Sequence, residues 1–315
     1  MRTVDSKSKV AVLAGGIGSE REVSIASGRC VAEALEQAGF AVVTADARPE
    51  NLDILDEAGI DVFFLALHGE FGEDGRLQQI LEAKSLLYTG SGSTASELAF
   101  DKMTSKKLFD DAGVATPAAV EFSSETDLHR LEEQLRDFPG KYVVKPVKEG
   151  SSVGVKIVST PHEAVGAAQE TFGEFGNCMI EEFVPGREVT VGILCGRALP
   201  IIEIRTQSGF YDYDAKYVDD QTEYLFDTIT DPAVSAGITQ AAIDCFDMLG
   251  CRHFARVDFI LGDDQIARVL EVNTIPGFTS HSLLPKAAAK TGLSMSDLCA
   301  RIIEAACSSL AGRKA

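Results

Sequence analysis

Cationic residues are scarce in this chain relative to acidic ones. Its 315 residues include 29 Lys and Arg against 48 Asp and Glu, which gives a formal net charge of -19. A protein of this charge repels nucleic acid and anionic membrane surfaces, because no broad basic face remains to collect phosphates. We therefore expect neither nucleic acid nor a membrane as a partner, and an anionic substrate must meet a local cluster of Lys and Arg.

The sequence also lacks long apolar runs and closely paired cysteines. No run approaches the roughly 20 apolar residues that span a bilayer. The apolar stretch VAVLA at 10–14 ends at a glycine pair and is too short for a signal peptide. The seven cysteines are odd in number, and no close pair has the spacing of a metal site. These absences predict a cytoplasmic protein with reduced thiols.

What is present is the composition of a large globular protein, with 45% hydrophobic and 24% charged residues. The chain is longer than the length at which a single hydrophobic core usually stops growing, which predicts two or three domains. Strand-like and helix-like segments alternate through residues 1–100, which predicts an open parallel α/β domain. The predicted elements of this domain are strands at 9–14, 41–46 and 62–67 and helices at 20–39 and 77–83.

Two further domains are predicted to follow the first one along the chain. Residues 101–184 combine charged helices with strands around AVEF and KYVVKP, which predicts a small α+β domain. Residues 185–315 contain several strand-like segments and predict a mixed sheet backed by helices. The predicted helices of these two regions lie at 96–112, 125–136, 233–249 and 295–311. The fold class is therefore α/β with α+β parts.

One long segment, residues 206–224, mixes aromatic and charged side chains without a clean period. A loop of this length inside a compact domain is usually functional. We interpret this segment as a lid over a binding site.

A glycine-rich turn follows the first predicted strand. The sequence GGIG at 15–18 resembles part of a dinucleotide-binding turn, but Arg21 stands where the third glycine of that motif belongs. Ser19 and Glu22 have the spacing of a capping box and predict a helix whose positive end faces the turn. The turn therefore either holds a small charged group or merely caps a helix.

A lysine and a run of small residues occur together in YVVKPVKEGSSVGV, residues 142–155. The predicted strand delivers Lys145, and the backbone N–H groups of the small residues can close over phosphate oxygens. The P-loop sequence is absent, so a nucleotide would need another phosphate-binding fold. A surface hairpin with one glycine turn is the competing interpretation.

Polar residues interrupt two otherwise apolar strands near the end of the chain. Arg256 and Asp258 are two residues apart in FARVDFIL, and Glu271 and Asn273 are two residues apart in VLEVN. Side chains at this spacing share one face of a strand. If the strands are neighbours, the gathered oxygens suit Mg²⁺ on nucleotide phosphates, with the guanidinium stabilising negative charge. A solvated polar sheet face with salt bridges is the alternative.

Two further positions are candidates for substrate contacts. The turn TIPGFTSHS at 274–282 could grip a carboxylate through Ser282 and a backbone N–H, or be a simple surface turn. His68 follows a predicted parallel strand at its carboxyl end, where α/β domains commonly bind ligands. A lone histidine, however, is more often structural than catalytic.

Taken together, these segments resemble the D-alanine:D-alanine ligases of the ATP-grasp superfamily over almost the whole length. The order and spacing of the matching blocks carry the resemblance, since no single block would suffice. These blocks are GGIGSEREVS, ALHGEFGEDGRLQ, YTGSG, DKMTSK, VVKPVKEGSSVGV, IEEFVPGREVTV, YDYDAKY, ARVDF and LEVNTIPGFTSHS. The resemblance implies an ATP-grasp fold preceded by the open parallel domain.

The resemblance also implies a reaction and its cofactors. ATP would phosphorylate the carboxylate of a first D-alanine, and the amine of a second D-alanine would attack the acyl phosphate. The product would be D-alanyl-D-alanine for peptidoglycan synthesis. ATP and two Mg²⁺ (or Mn²⁺) ions would be required, and the protein would be a homodimer.

Individual roles in nucleotide and metal binding follow from the same resemblance. Asp258, Glu271 and Asn273 would bind the metal ions. Many relatives carry lysine where this chain has Glu182. The residues implied at the nucleotide are Lys102 and Lys145 at the phosphates, Glu181 and the backbone beside Phe183 at adenine, Glu188 at the ribose, and Ser152, Glu182 and Lys216 nearby.

Further residues are implied in catalysis and in binding the amino acids. Glu20 would grip the ammonium group of the first D-alanine, with Ser151 and Tyr217 as its hydrogen-bond partners. The oxyanion would be stabilised by Arg256 and by the N–H of Gly277. The residues implied on the substrate side are completed by His68, Lys216 and Ser282.

Three alternatives to this function remain open. The first is a ligase that uses D-lactate as second substrate, although Tyr217 after Lys216 favours D-alanine by resemblance. The second is an ATP-grasp enzyme that activates another carboxylate, against which EREVS and YDYDAKY argue. The third is an inactive nucleotide-binding regulator, which would not need to keep every charged residue of the site.

Overall fold

Three β-sheets follow one another along the chain. The computed structural model describes residues 8–206 and 222–312, and each sheet is built from its own stretch of these residues. No helix in the described ranges is both long and apolar enough to cross a membrane.

The first sheet is parallel, as the alternation of strands and helices predicts. Its elements are β1 (Lys9–Gly15), α1 (Arg21–Gln37), β2 (Ala41–Ala47), β3 (Val62–Leu65), α2 (Arg76–Ala83) and α3 (Ser93–Phe100). The strand order is β2-β1-β3, and Val10 pairs with both Val42 and Val62. The central residues of β1 are fully buried, which explains why this strand is continuously apolar.

The predicted capping box of Ser19 and Glu22 is wrong. Helix α1 begins at Arg21, so Glu20 occupies the N-cap position and its side chain makes no capping hydrogen bond. The Glu20 carboxylate instead accepts a hydrogen bond from the Ser151 hydroxyl, which belongs to a distant part of the chain. A tertiary contact thus overrides the local spacing.

The single helix predicted at 96–112 is also wrong, because the structure has two helices there. Helix α3 ends at Phe100, and α4 (Lys102–Asp111) begins after Asp101, whose backbone is extended. The Asp101 carboxylate accepts a hydrogen bond from the Thr104 N–H at 3.0 Å. Asp is a favourable N-cap residue, so it starts a new helix where the pattern suggested continuity.

The second sheet is antiparallel, with strand order β4-β7-β5-β6. Its elements are β4 (Ala119–Phe122), α5 (Leu128–Leu135), β5 (Tyr142–Pro146), β6 (Lys156–Val158), α6 (Pro161–Phe175) and β7 (Cys178–Glu182). Val144 and Ile180 pack in one buried cluster with residues of α5 and α6. Because side chains alternate along a strand, Lys145 and Glu181 are left for the opposite face.

The third sheet has six strands in the order β11-β10-β8-β12-β13, with β9 paired to β8. Its elements are β8 (Gly186–Leu194), β9 (Arg197–Ala198), β10 (Ile202–Arg205), β11 (Glu223–Phe226), α7 (Pro232–Met248), β12 (Phe254–Gly262), β13 (Ala267–Asn273), α8 (Leu283–Lys290) and α9 (Met295–Gly312). Every pairing among the described strands is antiparallel, so the mixed sheet predicted from the sequence is wrong. Short connections such as 263–266 permit only antiparallel neighbours.

The last helix returns to the first sheet. Ile302 and Ile303 of α9 lie in the same buried cluster as Val31 and Leu35 of α1 and Val10 of β1. The hydrophobic effect therefore joins the end of the chain to its beginning.

Candidate active site

Strands β12 and β13 bring four polar side chains together, as the sequence predicts. Arg256 lies opposite Asn273, and Asp258 lies opposite Glu271 in the antiparallel register. The register shifts between Asp258 and Phe259, directly after these pairs. Such bulges often accompany functional sites because they re-aim side chains.

The acidic residues of this group are engaged with cationic side chains. Asp258 accepts two hydrogen bonds from Arg256, at 2.8 and 2.7 Å, and a third from the Thr190 hydroxyl at 2.6 Å. Glu271 lies 3.3 Å from the Lys102 ammonium nitrogen. The carboxamide oxygen of Asn273 accepts from the Ile275 N–H at 3.0 Å. Within the described ranges, no three His, Cys, Asp or Glu side chains form a metal-binding group.

The donor set nevertheless fits a hard divalent cation. Two carboxylates and one carboxamide oxygen are the ligand types that Mg²⁺ takes, and Mg²⁺ usually completes its shell with water and substrate phosphates. Asp258 is 7% exposed, so it would meet such an ion in a largely dry setting. Arg256 and Lys102 pair with Asp258 and Glu271, so these carboxylates already have cationic partners on this face of the sheet.

A cavity of about 330 Å³ adjoins this face, and the second and third sheets supply its walls. It is lined by every described residue that the resemblance assigns to the nucleotide, and by two of the three assigned to metal. These residues are Lys102, Lys145, Ser152, Glu181, Glu182, Phe183, Glu188, Asp258 and Glu271. Apolar side chains such as Val143, Ile157 and Leu270 complete the walls and suit the faces of an aromatic base.

Glu181 is a deeply buried acidic group of this cavity, at 2% exposure. One carboxylate oxygen lies 2.6 Å from the Lys145 ammonium nitrogen, and the other lies 3.4 Å from that of Lys106. Burial lowers the pKa of Lys106 to about 8. Lys145 therefore faces Glu181 here, while also lining the space assigned to the nucleotide.

The segment around Phe183 is partly committed to the protein's own hydrogen bonds. The Phe183 N–H donates to the Lys141 carbonyl at 2.9 Å, and the Glu182 carboxylate accepts from the Ala118 N–H at 3.2 Å. A backbone contact with a base must therefore use another group of this segment, and Val184 also lines the cavity. The Glu182 side chain braces the cavity wall.

A second cavity, of about 60 Å³, shares Glu271 and Gly150 with the first. It gathers the described residues that the resemblance assigns to catalysis and to the amino acids. These lining residues are Glu20, His68, Ser151, Arg256, Gly277 and Ser282, together with Asn273. The two cavities thus adjoin at the sheet face that carries the metal candidates.

Glu20 and Ser151 close one side of the second cavity. The Ser151 hydroxyl donates to the Glu20 carboxylate, and both residues are buried. Ser151 and Ser152 adopt positive φ angles of 49° and 59°. Positive φ angles are unfavourable for residues other than Gly, Asn or Asp. Backbone strain of this kind is commonly retained at ligand-binding segments.

His68 is held in a fixed orientation. Its Nδ1 lies 2.8 Å from the Ile275 carbonyl, which must accept, so Nδ1 carries the proton. Its Nε2 therefore accepts from the Ser27 hydroxyl at 2.9 Å, and burial lowers the pKa of His68. His68 is therefore neutral, and its role here is to hold the segment before Gly277 in place rather than to supply a charge.

Glu73 is a cavity residue that sequence reasoning missed. Its two carboxylate oxygens accept hydrogen bonds from the N–H groups of Gly69, at 2.6 Å, and Ile275, at 3.3 Å. Burial, reinforced by the nearby negative charge of Glu20, raises the pKa of Glu73 to about 8. The only signal was its place in the block ALHGEFGEDG, which does not reveal that it joins two distant segments.

Ser282 lies against Gly277 at the other side of the second cavity. Its Oγ accepts from the Thr279 N–H at 3.0 Å and lies 2.9 Å from the Thr279 hydroxyl. A Cβ at Gly277 would come within 2.5 Å of the Ser282 Oγ, so a larger residue there would force Ser282 to move. Lys216 and Tyr217 lie outside the described residues, as does most of the predicted lid.

A parallel α/β sheet followed by two antiparallel sheets around a nucleotide-sized cavity is the architecture of an ATP-grasp enzyme. Residues 49–91 match the family model described as D-ala D-ala ligase N-terminus, and residues 108–304 match the one described as D-ala D-ala ligase C-terminus. This chain belongs to the D-alanine–D-alanine ligase family.

Individual relatives extend the likeness over nearly the full length. A D-alanine–D-alanine ligase of Syntrophotalea carbinolica is 42% identical over 298 residues, covering 95% of this chain and 96% of the relative. The crystal structure of a Bacillus anthracis D-alanine–D-alanine ligase complexed with ATP superposes with a TM-score of 0.84 at 35% identity, covering 98% of each chain. The VanG D-Ala:D-Ser ligase of Enterococcus faecalis superposes with a TM-score of 0.82 at 27% identity, covering 95% of this chain and 99% of that one.

Proposed function

We propose that this protein joins two D-alanine molecules into D-alanyl-D-alanine at the expense of ATP, for peptidoglycan synthesis. The observation that carries the proposal is that the two cavities adjoin at Glu271, one lined by the nucleotide candidates and the other by the amino acid candidates. A phosphoryl group leaving a nucleotide in the larger cavity would arrive where a carboxylate in the smaller one can receive it. Family membership and the ATP complex of the Bacillus anthracis relative support the same conclusion.

The reaction has two steps, and the bonds balance in each. A carboxylate oxygen of the first D-alanine attacks the γ-phosphorus of ATP, and the bond to the ADP oxygen breaks, which gives an acyl phosphate. The amine of the second D-alanine then attacks the acyl carbon, and the carbon–oxygen bond to phosphate breaks as the peptide bond forms. The attacking nitrogen loses two protons in all, of which one leaves with the phosphate as HPO4²⁻ and one is released to solvent.

The chain's own residues position the reacting groups and neutralise their charges. Glu20, oriented by the Ser151 hydroxyl, pairs with the ammonium group of the first D-alanine. Arg256 and the N–H of Gly277 face the acyl oxygen as negative charge develops on it. Ser282 accepts the second D-alanine at the other side of the cavity, and His68 braces the segment between them.

Nucleotide binding is assigned to the larger cavity. Lys102 and Lys145 contact the phosphates, with Ser152 beside them, and Glu188 holds the ribose hydroxyls. Glu181 receives the adenine amino group. Lys216 and Tyr217 keep their predicted roles in the lid, as proposals that lie outside the described residues.

The proposed metal ligands are Asp258, Glu271 and Asn273. Two Mg²⁺ or Mn²⁺ ions held there would supply positive charge that neutralises the charge developing on the phosphate oxygens. An ion held there would compete with Arg256 for Asp258 and with Lys102 for Glu271. The Arg256 and Lys102 side chains can then turn to acyl or phosphate oxygens, so their positive charge would remain within the site.

Several broader properties remain predictions of this proposal. We propose a cytoplasmic location, where both ATP and D-alanine would be available, and a homodimer, which the family resemblance implies. We also propose the division into residues 1–100, 101–184 and 185–315, which follows the three sheets. Helix α9 belongs to the third of these parts but packs on α1 of the first.

The decisive experiment is phosphate release from ATP by purified protein across a panel of amino and hydroxy acids, with products identified by mass spectrometry. The panel contains D-alanine, L-alanine, D-serine and D-lactate, each offered with D-alanine and Mg²⁺. We expect D-alanyl-D-alanine as the main product at neutral pH. Dominant use of D-lactate or D-serine would overturn the substrate assignment, and no phosphate release with any substrate would favour an inactive regulator.

A further inference from the structure

Lys106 lies behind the wall of the nucleotide cavity and has no role in the reaction described above. It is on helix α4, it is only 4% exposed, and it does not line the cavity. Its ammonium nitrogen is 3.4 Å from one oxygen of Glu181, whereas Lys145 approaches the other oxygen to 2.6 Å. Glu181 is therefore held between a lysine on the cavity side and a lysine behind it.

The position of Lys106 is fixed by partners other than Glu181. Its ammonium group donates to the Thr116 hydroxyl at 2.5 Å and to the Pro117 carbonyl at 2.8 Å. The Thr116 hydroxyl in turn donates to the Val269 carbonyl of β13 at 3.0 Å. An ammonium group has three donors, so two are used by the segment 116–117 and the third is available to Glu181.

The two lysines differ in what a bound nucleotide would do to them. Lys145 lines the cavity, and a triphosphate there would attract its ammonium group away from Glu181. Lys106 cannot follow, because Thr116 and Pro117 hold it. A buried carboxylate that lost both cations would be strongly destabilised, so one fixed partner must remain when the nucleotide binds.

We propose that Lys106 is a positioning residue that keeps the Glu181 carboxylate in place to recognise the exocyclic amino group of the nucleotide base. This inference rests on the proposed function, which places adenine at Glu181. A carboxylate accepts hydrogen bonds from an amino group but repels a carbonyl oxygen at the same place. A fixed Glu181 therefore selects adenine over hypoxanthine, which carries a carbonyl at that position.

The test compares binding of Mg²⁺–ATP and Mg²⁺–ITP, the hypoxanthine nucleotide, by calorimetry in the absence of D-alanine. Lys106→Met keeps most of the unbranched side chain and removes its charge. We expect wild type to bind ATP more tightly than ITP. In the variant, the ratio of the two affinities should fall about tenfold, which is the effect of one hydrogen bond to a charged group. With saturating ATP, the rate of dipeptide formation should change far less than KM for ATP.

Matched controls separate positioning from a general loss of structure. Lys107→Met removes the neighbouring, exposed charge of the same helix and should keep the wild-type preference. In a Glu181→Gln background, Lys106→Met should have little further effect on the ratio, because the two residues act as one unit. If Lys106→Met does not fold, Thr116→Val removes one of its two anchors and should lower the preference partly.

The outcomes distinguish this inference from the proposed function. A wild-type ratio of ATP to ITP affinity in Lys106→Met, or in Thr116→Val where only that variant folds, would overturn the positioning role. Wild-type protein that binds neither nucleotide would instead overturn the proposed function itself. An equal loss of affinity for both nucleotides in Lys106→Met would also reject positioning, because base selectivity would be unchanged.

Discussion

Arg256 and Asp258 lie two residues apart on β12 and form a two-pronged ion pair, with N···O distances of 2.8 and 2.7 Å. Both side chains line the site, Arg256 in the smaller cavity and Asp258 in the larger. The guanidinium thus occupies the oxygens that a metal ion would need. On the proposed function, metal binding at Asp258 would therefore be coupled to the release of Arg256 toward the reacting carboxyl group.

The first prediction concerns this coupling. Asp258→Asn removes one charged ligand and the partner of Arg256, so we expect the Mg²⁺ concentration for half-maximal activity to rise about tenfold or more. The measurement is a Mg²⁺ titration of phosphate release at fixed ATP. Asp263→Asn, an exposed change in the turn after β12, serves as the control. An unchanged Mg²⁺ requirement in Asp258→Asn would remove Asp258 from the metal site.

The second prediction concerns the hydrogen bond from Ser151 to Glu20. Ser151→Ala leaves the Glu20 carboxylate without this donor, so we expect KM for D-alanine at the first site to rise about tenfold. Affinity for ATP should remain close to wild type. Initial rates at varied D-alanine measure this effect, with the exposed Ser159→Ala as the control. A wild-type KM in Ser151→Ala would show that Glu20 needs no such support.

The third prediction uses the close approach of the chain at Gly150. A Cβ at this position would overlap the Glu20 carboxylate, so Gly150→Ala should displace Glu20 and raise KM for D-alanine without unfolding the protein. Gly166→Ala is the matched control, because a Cβ there meets no atom within 4 Å. In helix α6 that control should stabilise the protein by about 0.5–1 kcal/mol. Kinetics and urea unfolding of both variants check the prediction, and normal D-alanine kinetics in Gly150→Ala would contradict it.

The fourth prediction concerns pH and Glu73. The folded protein keeps the Glu73 proton up to a pKa of about 8, whereas a carboxyl group in the unfolded chain loses it near 4.5. Between these values the folded state binds more protons, so the contribution of Glu73 to stability falls as pH rises. The slope is at most about 1.4 kcal/mol per pH unit. Nearby negative charge on Glu20 and Glu271 adds to the effect.

Glu73→Gln should remove this pH dependence, because glutamine does not titrate. Relative to wild type, the variant should therefore gain free energy of unfolding between pH 5.5 and pH 8.5. Urea unfolding at both values measures the change, and Glu36→Gln, an exposed substitution on α1, controls for net charge. Parallel pH profiles for wild type and Glu73→Gln would mean that Glu73 is already ionised in the folded protein.

Spacing in the sequence predicted those parts of the site that depend on strand geometry. Arg256 with Asp258, and Glu271 with Asn273, were expected on one face of neighbouring strands, and the register confirms this. The parallel first sheet was predicted equally well, because buried parallel strands are apolar throughout. The helix break at Asp101 was not predicted, since a polar helix pattern continues across it.

The sequence by itself determined the family, most of the strands, many of the helices, and the residue types needed for phosphate and carboxylate chemistry. Only the tertiary structure decided which charges meet. Glu20 with Ser151, Glu73 with Ile275 and Lys106 with Glu181 are separated by 131, 202 and 75 residues. No local period encodes such contacts, because they arise where separate sheets pack together and burial forces each polar group to find a partner.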